Sequence, residues 1–167
     1  MSVAIWISTE YLKTTTHIST DIDPEKIQNS VRSVQDVYVQ PELGTDLYNK
    51  CSSDIAASSL AGNYATLVNT WVAPYLAWQT VADALPFWGV RIGNGGITRK
   101  SPEGATALDS SEVNSLAQKA RQKAEFYKQR LIDYLCNHNE LFPEYSTNTE
   151  EDITPRHSNH SSTIRLG

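Results

Sequence analysis

The chain has 167 residues and a mass of 18.6 kDa, with 19 acidic against 14 basic side chains and a net charge of −5. That length fits one domain, or one domain with an appendage, and suffices to bury a proper core. The acidic balance argues against a protein that wraps nucleic acid through bulk charge, no run reaches the roughly 18 apolar residues of a membrane span, and the start, Met1 to Trp6, lacks the early cations of a secretory or transit signal.

The first element is the short apolar run from Val3 to Ile7. Its β-branched residues suit a short extended arm or edge strand better than a helix. Helical signals begin at Asp23-Pro24, which reads as an N-cap followed by a proline at the first helical position. Ile27, Val31, Val34 and Tyr38 then fall at helical spacing, and the helix is expected to stop before Pro41. A second, shorter helix is expected from Pro41 through Cys51, with Leu43, Leu47 and Cys51 on one stripe.

Gly62-Asn63 supplies turn chemistry before the next element. From Tyr64 to Leu85 the only Asp, Glu, Lys or Arg is Asp83. A helix apolar on most sides is central to its domain or buried in an oligomer. At ~1.5 Å per residue it spans roughly 33 Å. Asn69, Thr70, Gln79 and Asp83 interrupt it and no basic flank anchors it, which argues against a membrane. Pro74 is expected to kink it by removing a hydrogen bond and crowding the preceding turn.

Between 89 and 100 the pattern changes to Val90-Arg91-Ile92 and Ile97-Thr98-Arg99 around Gly93-Asn94-Gly95-Gly96, a β-hairpin signal carried by Asn94-Gly95. Asp109-Ser110-Ser111-Glu112 then opens a long helix, in which Val113, Leu116, Ala117, Ala120, Ala124, Tyr127, Leu131 and Leu135 keep the i, i+3, i+4 pattern. It is expected to end near Asn137 to Asn139. From Ser146 to Gly167 only Ile153, Ile164 and Leu166 are strongly apolar, so this stretch cannot offset its own ordering entropy. The expected organisation is a helical domain over 1–145 and an extended C-terminal tail over 146–167.

No motif carries catalysis. Cys51 and Cys136 each fall within a helical segment and read as buried free thiols rather than a bridge. His157 and His160 lack the further ligands that a zinc site needs. The glycines at 93–96 match neither GxxxxGK[ST] nor GxGxxG. No enzyme, metal or cofactor is therefore expected. Arg91, Arg99 and Lys100 place modest positive charge around the hairpin tip. Lys119, Arg121, Lys123, Lys128 and Arg130 do the same on the last long helix, scattered rather than in one stripe. Trp6 lies in a short arm with little local packing, which points to an interface.

Three segments carry a family resemblance: Asp23-Pro24 opening the first helix, Pro41-Glu42-Leu43-Gly44-Thr45-Asp46-Leu47-Tyr48, and Ala73-Pro74-Tyr75-Leu76-Ala77-Trp78. In this order, with the glycine hairpin, second long helix and polar tail, they resemble the head–tail connector (adaptor) proteins of tailed bacteriophages, the crAss-like group among them. The resemblance implies a mainly α fold, a bundle of about four helices with a small β-hairpin, a short N-terminal arm and an extended tail. It further implies a virion protein made in the host cytoplasm that forms a homo-oligomeric ring, typically dodecameric, at the head–tail junction. Such a ring joins the portal protein to other connector or tail proteins around a channel through which DNA passes with transient, non-specific contact. In that setting Arg91, Asn94, Gly95, Arg99 and Lys100 would face the lumen or the next ring. Trp6, Ile153, Ile164 and Leu166 would dock on a partner, and a fully extended tail would reach ~70 Å. The alternative is a helical nucleic-acid-binding module using the basic hairpin and last long helix, with salt-sensitive binding to duplex DNA.

Overall fold

A computed structural model describes residues 4–18, 22–88, 90–93, 96–99, 109–149 and 151–155. The fold is mainly helical. Helix α1 (Thr9–Thr16) is followed by α2 (Pro24–Val34), α3 (Gln40–Leu43), α4 (Thr45–Ala56), α5 (Gly62–Thr66), α6 (Ala73–Trp88) and α7 (Ser110–Asn137). Two 3-10 turns, Asn139–Leu141 and Pro143–Tyr145, follow α7.

Capping chemistry sets the helix starts. Asp23 accepts from the Glu25 N–H at 3.0 Å with Pro24 just inside α2. Asp109 and Glu112 form a reciprocal capping box at α7, with bonds of 2.8 and 2.9 Å, so two otherwise orphaned donors are satisfied together. Helix α1 was not expected. Its apolar content is low, but Ser8 caps it by accepting from the Tyr11 N–H, and Leu12 and Thr16 are its buried face. Thr14 and Thr16 return their hydroxyls to carbonyls one turn back, which accommodates threonines that propensity alone would count against a helix.

Pro41 acts differently from the expectation and does not stop a helix, while Pro74 lies within a helical run, where the sequence placed it. In both places a wide π-helical turn comes just before the proline, Gln35–Val39 ahead of Pro41 and Leu67–Val72 ahead of Pro74. The Gln40 N–H bonds to the Gln35 carbonyl and the Ala73 N–H to the Val68 carbonyl, each five residues back. A widened turn leaves room, and an uncommitted carbonyl, where a proline ring would otherwise collide and a bond would be missing. The result is helical continuity from Pro24 to Leu43 and from Gly62 to Trp88.

The core lies where the 62–88 helical run packs on α2, α1 and, most extensively, α7. Leu12, Ile27, Val31, Leu43, Leu47, Cys51, Leu67, Leu76, Leu131 and Leu135 are fully buried there. The stripes read from the sequence in α2, α4 and α7 are largely buried, although in α7 Val113 and Tyr127 are half-buried and Leu116 is 45% exposed. The backbone segments Val90–Gly93 (β1) and Gly96–Arg99 (β2) pair antiparallel, Val90 opposite Arg99 and Gly93 opposite Gly96. Two strands do not hold a domain together, so the helices set the fold.

Two expectations for the ends of the chain are corrected. Residues 4–8 are neither strand nor free arm, and Trp6 is buried in the chain's own core. Its backbone N–H donates to Gln35 Oε1 at 2.9 Å, its indole N–H to Ser52 Oγ at 3.1 Å, and its ring stacks on Tyr48 at 5.0 Å. These partners lie far away in sequence, so the local poverty of packing around Trp6 was misleading.

The start of the expected tail is likewise part of the core fold. Residues 147–149 and 151–155 form a strap over the α3–α4 corner. The Thr45 N–H donates to the Ile153 carbonyl at 2.9 Å, and the Ile153 N–H donates to Thr45 Oγ1 at 3.1 Å. Thr45 and Gln40 both donate to Asp152, and Thr147 and Thr149 donate to the Asp46 carboxylate. Gly44, the residue before α4, has φ +78° and no side chain with which to cap the helix. The strap therefore supplies an acceptor to the first turn of α4 that the local sequence lacks. Residues 156–167, with Ile164 and Leu166, lie outside the described residues.

Candidate docking groove

Of the sequence-predicted site residues, only Trp6 and Ile153 have described side chains, and these two share no site. Trp6 and Ile153 serve the core and the strap, the latter half-buried. Asn94, Gly95 and Lys100 lie outside the described residues, and of Arg91 and Arg99 only the backbone pairing is described.

A different surface stands out where α6, α7 and the end of α1 meet. Trp78, Val81 and Leu85 of α6 form its floor, Ile18 and Ile22 close one side, and Leu116, Lys119 and Lys123 of α7 the other. Together they enclose a groove of about 410 Å³. A shallower hollow of about 500 Å³ continues along α7, sharing Trp78, Lys119 and Lys123 and extending to Phe126. Among the described residues, four large apolar side chains are conspicuously exposed: Val37, Phe87, Leu116 and Phe126. Leu116 and Phe126 lie on this surface and Phe87 adjoins its Trp88. Apolar surface gathered in this way marks an interaction site more often than scattered exposed residues do.

The electrostatics of the groove are one-sided. His17 turns an edge to Trp78, with ring centroids 6.3 Å apart, and Lys119 and Lys123 stand one helical turn apart on α7. Lys123 Nζ lies 4.0 Å from the centre of the Trp78 ring, a cation–π contact that keeps its charge at the groove's rim. No carboxylate lines the groove among the described residues, and none lies within ion-pair distance of either lysine. Periodicity read Leu116 as core and Lys119 and Lys123 as a solvated face. Their adjacency to Trp78 is a tertiary fact, although a tryptophan opposite lysines spaced i, i+4 was the available hint.

The remaining cations of α7 are not arrayed for phosphates. Lys128 pairs with Glu125 at 2.6 Å, and Arg130 lies over the rings of Trp71 and Phe126.

The opposite end of the long helical run is acidic. Tyr64, near its start, donates to Glu144 at 2.7 Å, and its ring lies 5.2 Å below Lys50, which is paired with Asp54. Burial and the neighbouring Glu144 carboxylate raise the Tyr64 pKa, so the hydroxyl stays a donor. Glu140 and Glu144 lie on the 3-10 turns that follow α7, and Glu151 and Asp152 on the strap.

Cys51 is buried, and burial, reinforced by Asp54, pushes its thiol up to about 12. Cys136, contrary to expectation, is exposed. Among the described residues no group of His, Cys, Asp and Glu is arranged to hold a metal ion, and no helix is long and apolar enough to cross a membrane.

Residues 39–154 match the model of a family of unknown function, DUF6712. The match begins just before Pro41 and ends within the strap, so it spans both sides of the α3–α4 corner contact. No curated protein and no solved structure matches the chain.

Proposed function

The chain belongs to the DUF6712 family, and we propose that it is a structural subunit of a phage head–tail connector, a ring that joins portal to tail and surrounds the DNA channel. The observation that carries this reading is the apolar, cation-rimmed groove on α6 and α7 with Leu116 and Phe126 exposed along it. A surface of this kind suits a subunit whose working state is an assembly. The motif order around Pro41–Tyr48 and Ala73–Trp78 supports the placement within a connector. In this reading the protein works in the virion, catalyses nothing and carries no cofactor. The 89–100 hairpin faces the lumen or an adjoining ring, and residues 156–167 carry Ile164 and Leu166 to a neighbour. DNA touches the ring only in passing.

The nucleic-acid module is the weaker reading. Lys123 and Arg130 rest on aromatic rings and Lys128 on Glu125, leaving no continuous cationic stripe on α7 for a phosphate backbone.

Co-expression with the portal protein of the same genome tests the proposal. A stable complex that electron microscopy resolves as a closed ring under the portal is the expected outcome. A chain that never joins the portal, yet binds duplex DNA in a salt-sensitive manner, would replace the connector reading with the nucleic-acid one.

A further inference from the structure

We infer that the α6–α7 groove is one half of a head-to-tail contact between copies of this chain, and that the acidic end built by the two 3-10 turns and the strap is the other half. This rests on the connector reading for its biological setting, but its physical basis is independent of it. The groove offers Trp78, Val81 and Leu85 as an apolar floor with Lys119 and Lys123 on its rim. At the other end, the half-buried Leu141, which packs in part on the core, and the exposed Pro143 form a small apolar knob between the exposed Glu140 and the half-buried Glu144. An apolar knob flanked by acids is the complement of an apolar groove flanked by lysines.

Geometry prevents one molecule from satisfying both halves itself. Tyr64, which holds Glu144, and Val81, in the groove floor, are both on the 62–88 helical run, ~25 Å apart along its axis at about 1.5 Å per residue. Two different, complementary patches at opposite ends of one subunit make a heterologous contact. Such a contact propagates from copy to copy and closes into a ring when the rotation per step allows it.

The second copy is favoured over a foreign partner because the chain carries both halves of the charge pattern. Lys119 and Lys123 face no carboxylate of their own among the described residues. Among the described residues the acidic end carries Glu140, Glu144 and Glu151 beside Asp46 and Asp152, which the strap engages, and Asp54, which pairs with Lys50.

Sedimentation equilibrium of the full chain and two variants tests this contact. The wild-type chain should self-associate with rising concentration, and less so at high salt, because part of the contact is ionic. Lys119→Glu with Lys123→Glu blocks the groove, and Glu140→Lys with Glu144→Lys blocks the acidic end. Each alone should lower the association constant by about ten-fold or more. An equimolar mixture should recover association, since the intact halves of the two variants pair with each other and the charge-reversed halves are again of opposite sign. Because Glu144 also holds Tyr64, the single variant Glu140→Lys is measured in parallel, and thermal melts verify that all variants fold. A wild-type chain that stays monomeric at every concentration would overturn the contact. So would association that both variants leave unchanged, or folded variants that remain monomeric when mixed. Failure to join the portal with groove-dependent association intact would remove the connector reading alone. Ring assembly indifferent to Lys119 and Lys123 would remove this contact alone.

Discussion

Among individual residues, Gly44 and Cys51 have the most sharply defined physical roles. Gly44 sits at φ +78°, where an L side chain is strained, and a Cβ there would come within 2.7 Å of the Pro155 ring. Gly44→Ala should therefore destabilise the fold by ~1–3 kcal/mol, read as a lower urea midpoint. Adding Pro155→Ala should recover the part due to the collision and leave the part due to φ. Cys51 holds its proton more tightly folded, at about 12, than the 9.0 of an ordinary thiol. Its contribution is thus complete below pH 9 and declines as pH rises towards the folded value, at up to about 1.4 kcal/mol per pH unit. Unfolding midpoints should hold level from pH 7 to 9 and fall above it, and Cys51→Ala should flatten that fall. Burial and the Asp36 carboxylate raise Tyr48 in the same direction, so some slope should persist above pH 10 in the variant. A thiol reagent at pH 8 should label Cys136 in the native protein and reach Cys51 only on unfolding.

At the scale of elements, the strap makes the α3–α4 corner a joint between distant parts of the chain. A chain ending at Ser146 loses the Ile153 pairing with Thr45 and the hydroxyl bonds to Asp46. Several net bonds of about 1 kcal/mol each should cost it ~2–4 kcal/mol of stability. A chain ending at Pro155 keeps every one of these contacts and should melt with the full-length protein. Comparative thermal melts of the two truncations check the difference, and equal melting would remove the strap's structural role.

The same elements show what sequence could convey. Local chemistry was legible: the Asp23-Pro24 start, the Asp109–Glu112 box, and the buried stripes of α2, α4 and α7 all rest on interactions within a few residues. The strap was not, because it is held by backbone and carboxylate–hydroxyl bonds to residues about a hundred positions away, and apolar content is silent on those. Trp6 was misplaced for the same reason, with partners at Gln35, Tyr48 and Ser52. Pro41 misled in another way. The rule that a helix stops before a proline assumes regular α geometry, and the π turn before Pro41 relaxes that assumption. Helix α1 escaped notice because it buries only Leu12 and Thr16, too narrow a stripe for periodicity to register.

At the scale of the whole molecule, the net charge of −5 conceals a polarity along the 62–88 helical axis. The groove at one end sets Lys119 and Lys123 beside Trp78, and the 3-10 turns at the other carry Glu140 and the Glu144 that holds Tyr64. That polarity gives the subunit a direction, and a directional subunit is what a head-to-tail ring requires. None of it followed from composition, since the lysines and the acids lie in separate segments whose spatial separation the fold creates. The most direct measurement is a cryo-electron microscopy map of the chain assembled on its portal. The expected result is a closed ring in which Trp78 and Lys123 of each subunit are covered by the Glu140–Glu144 turns of the next. A ring with that groove open to solvent, or a portal with no copy of this chain bound, would contradict it.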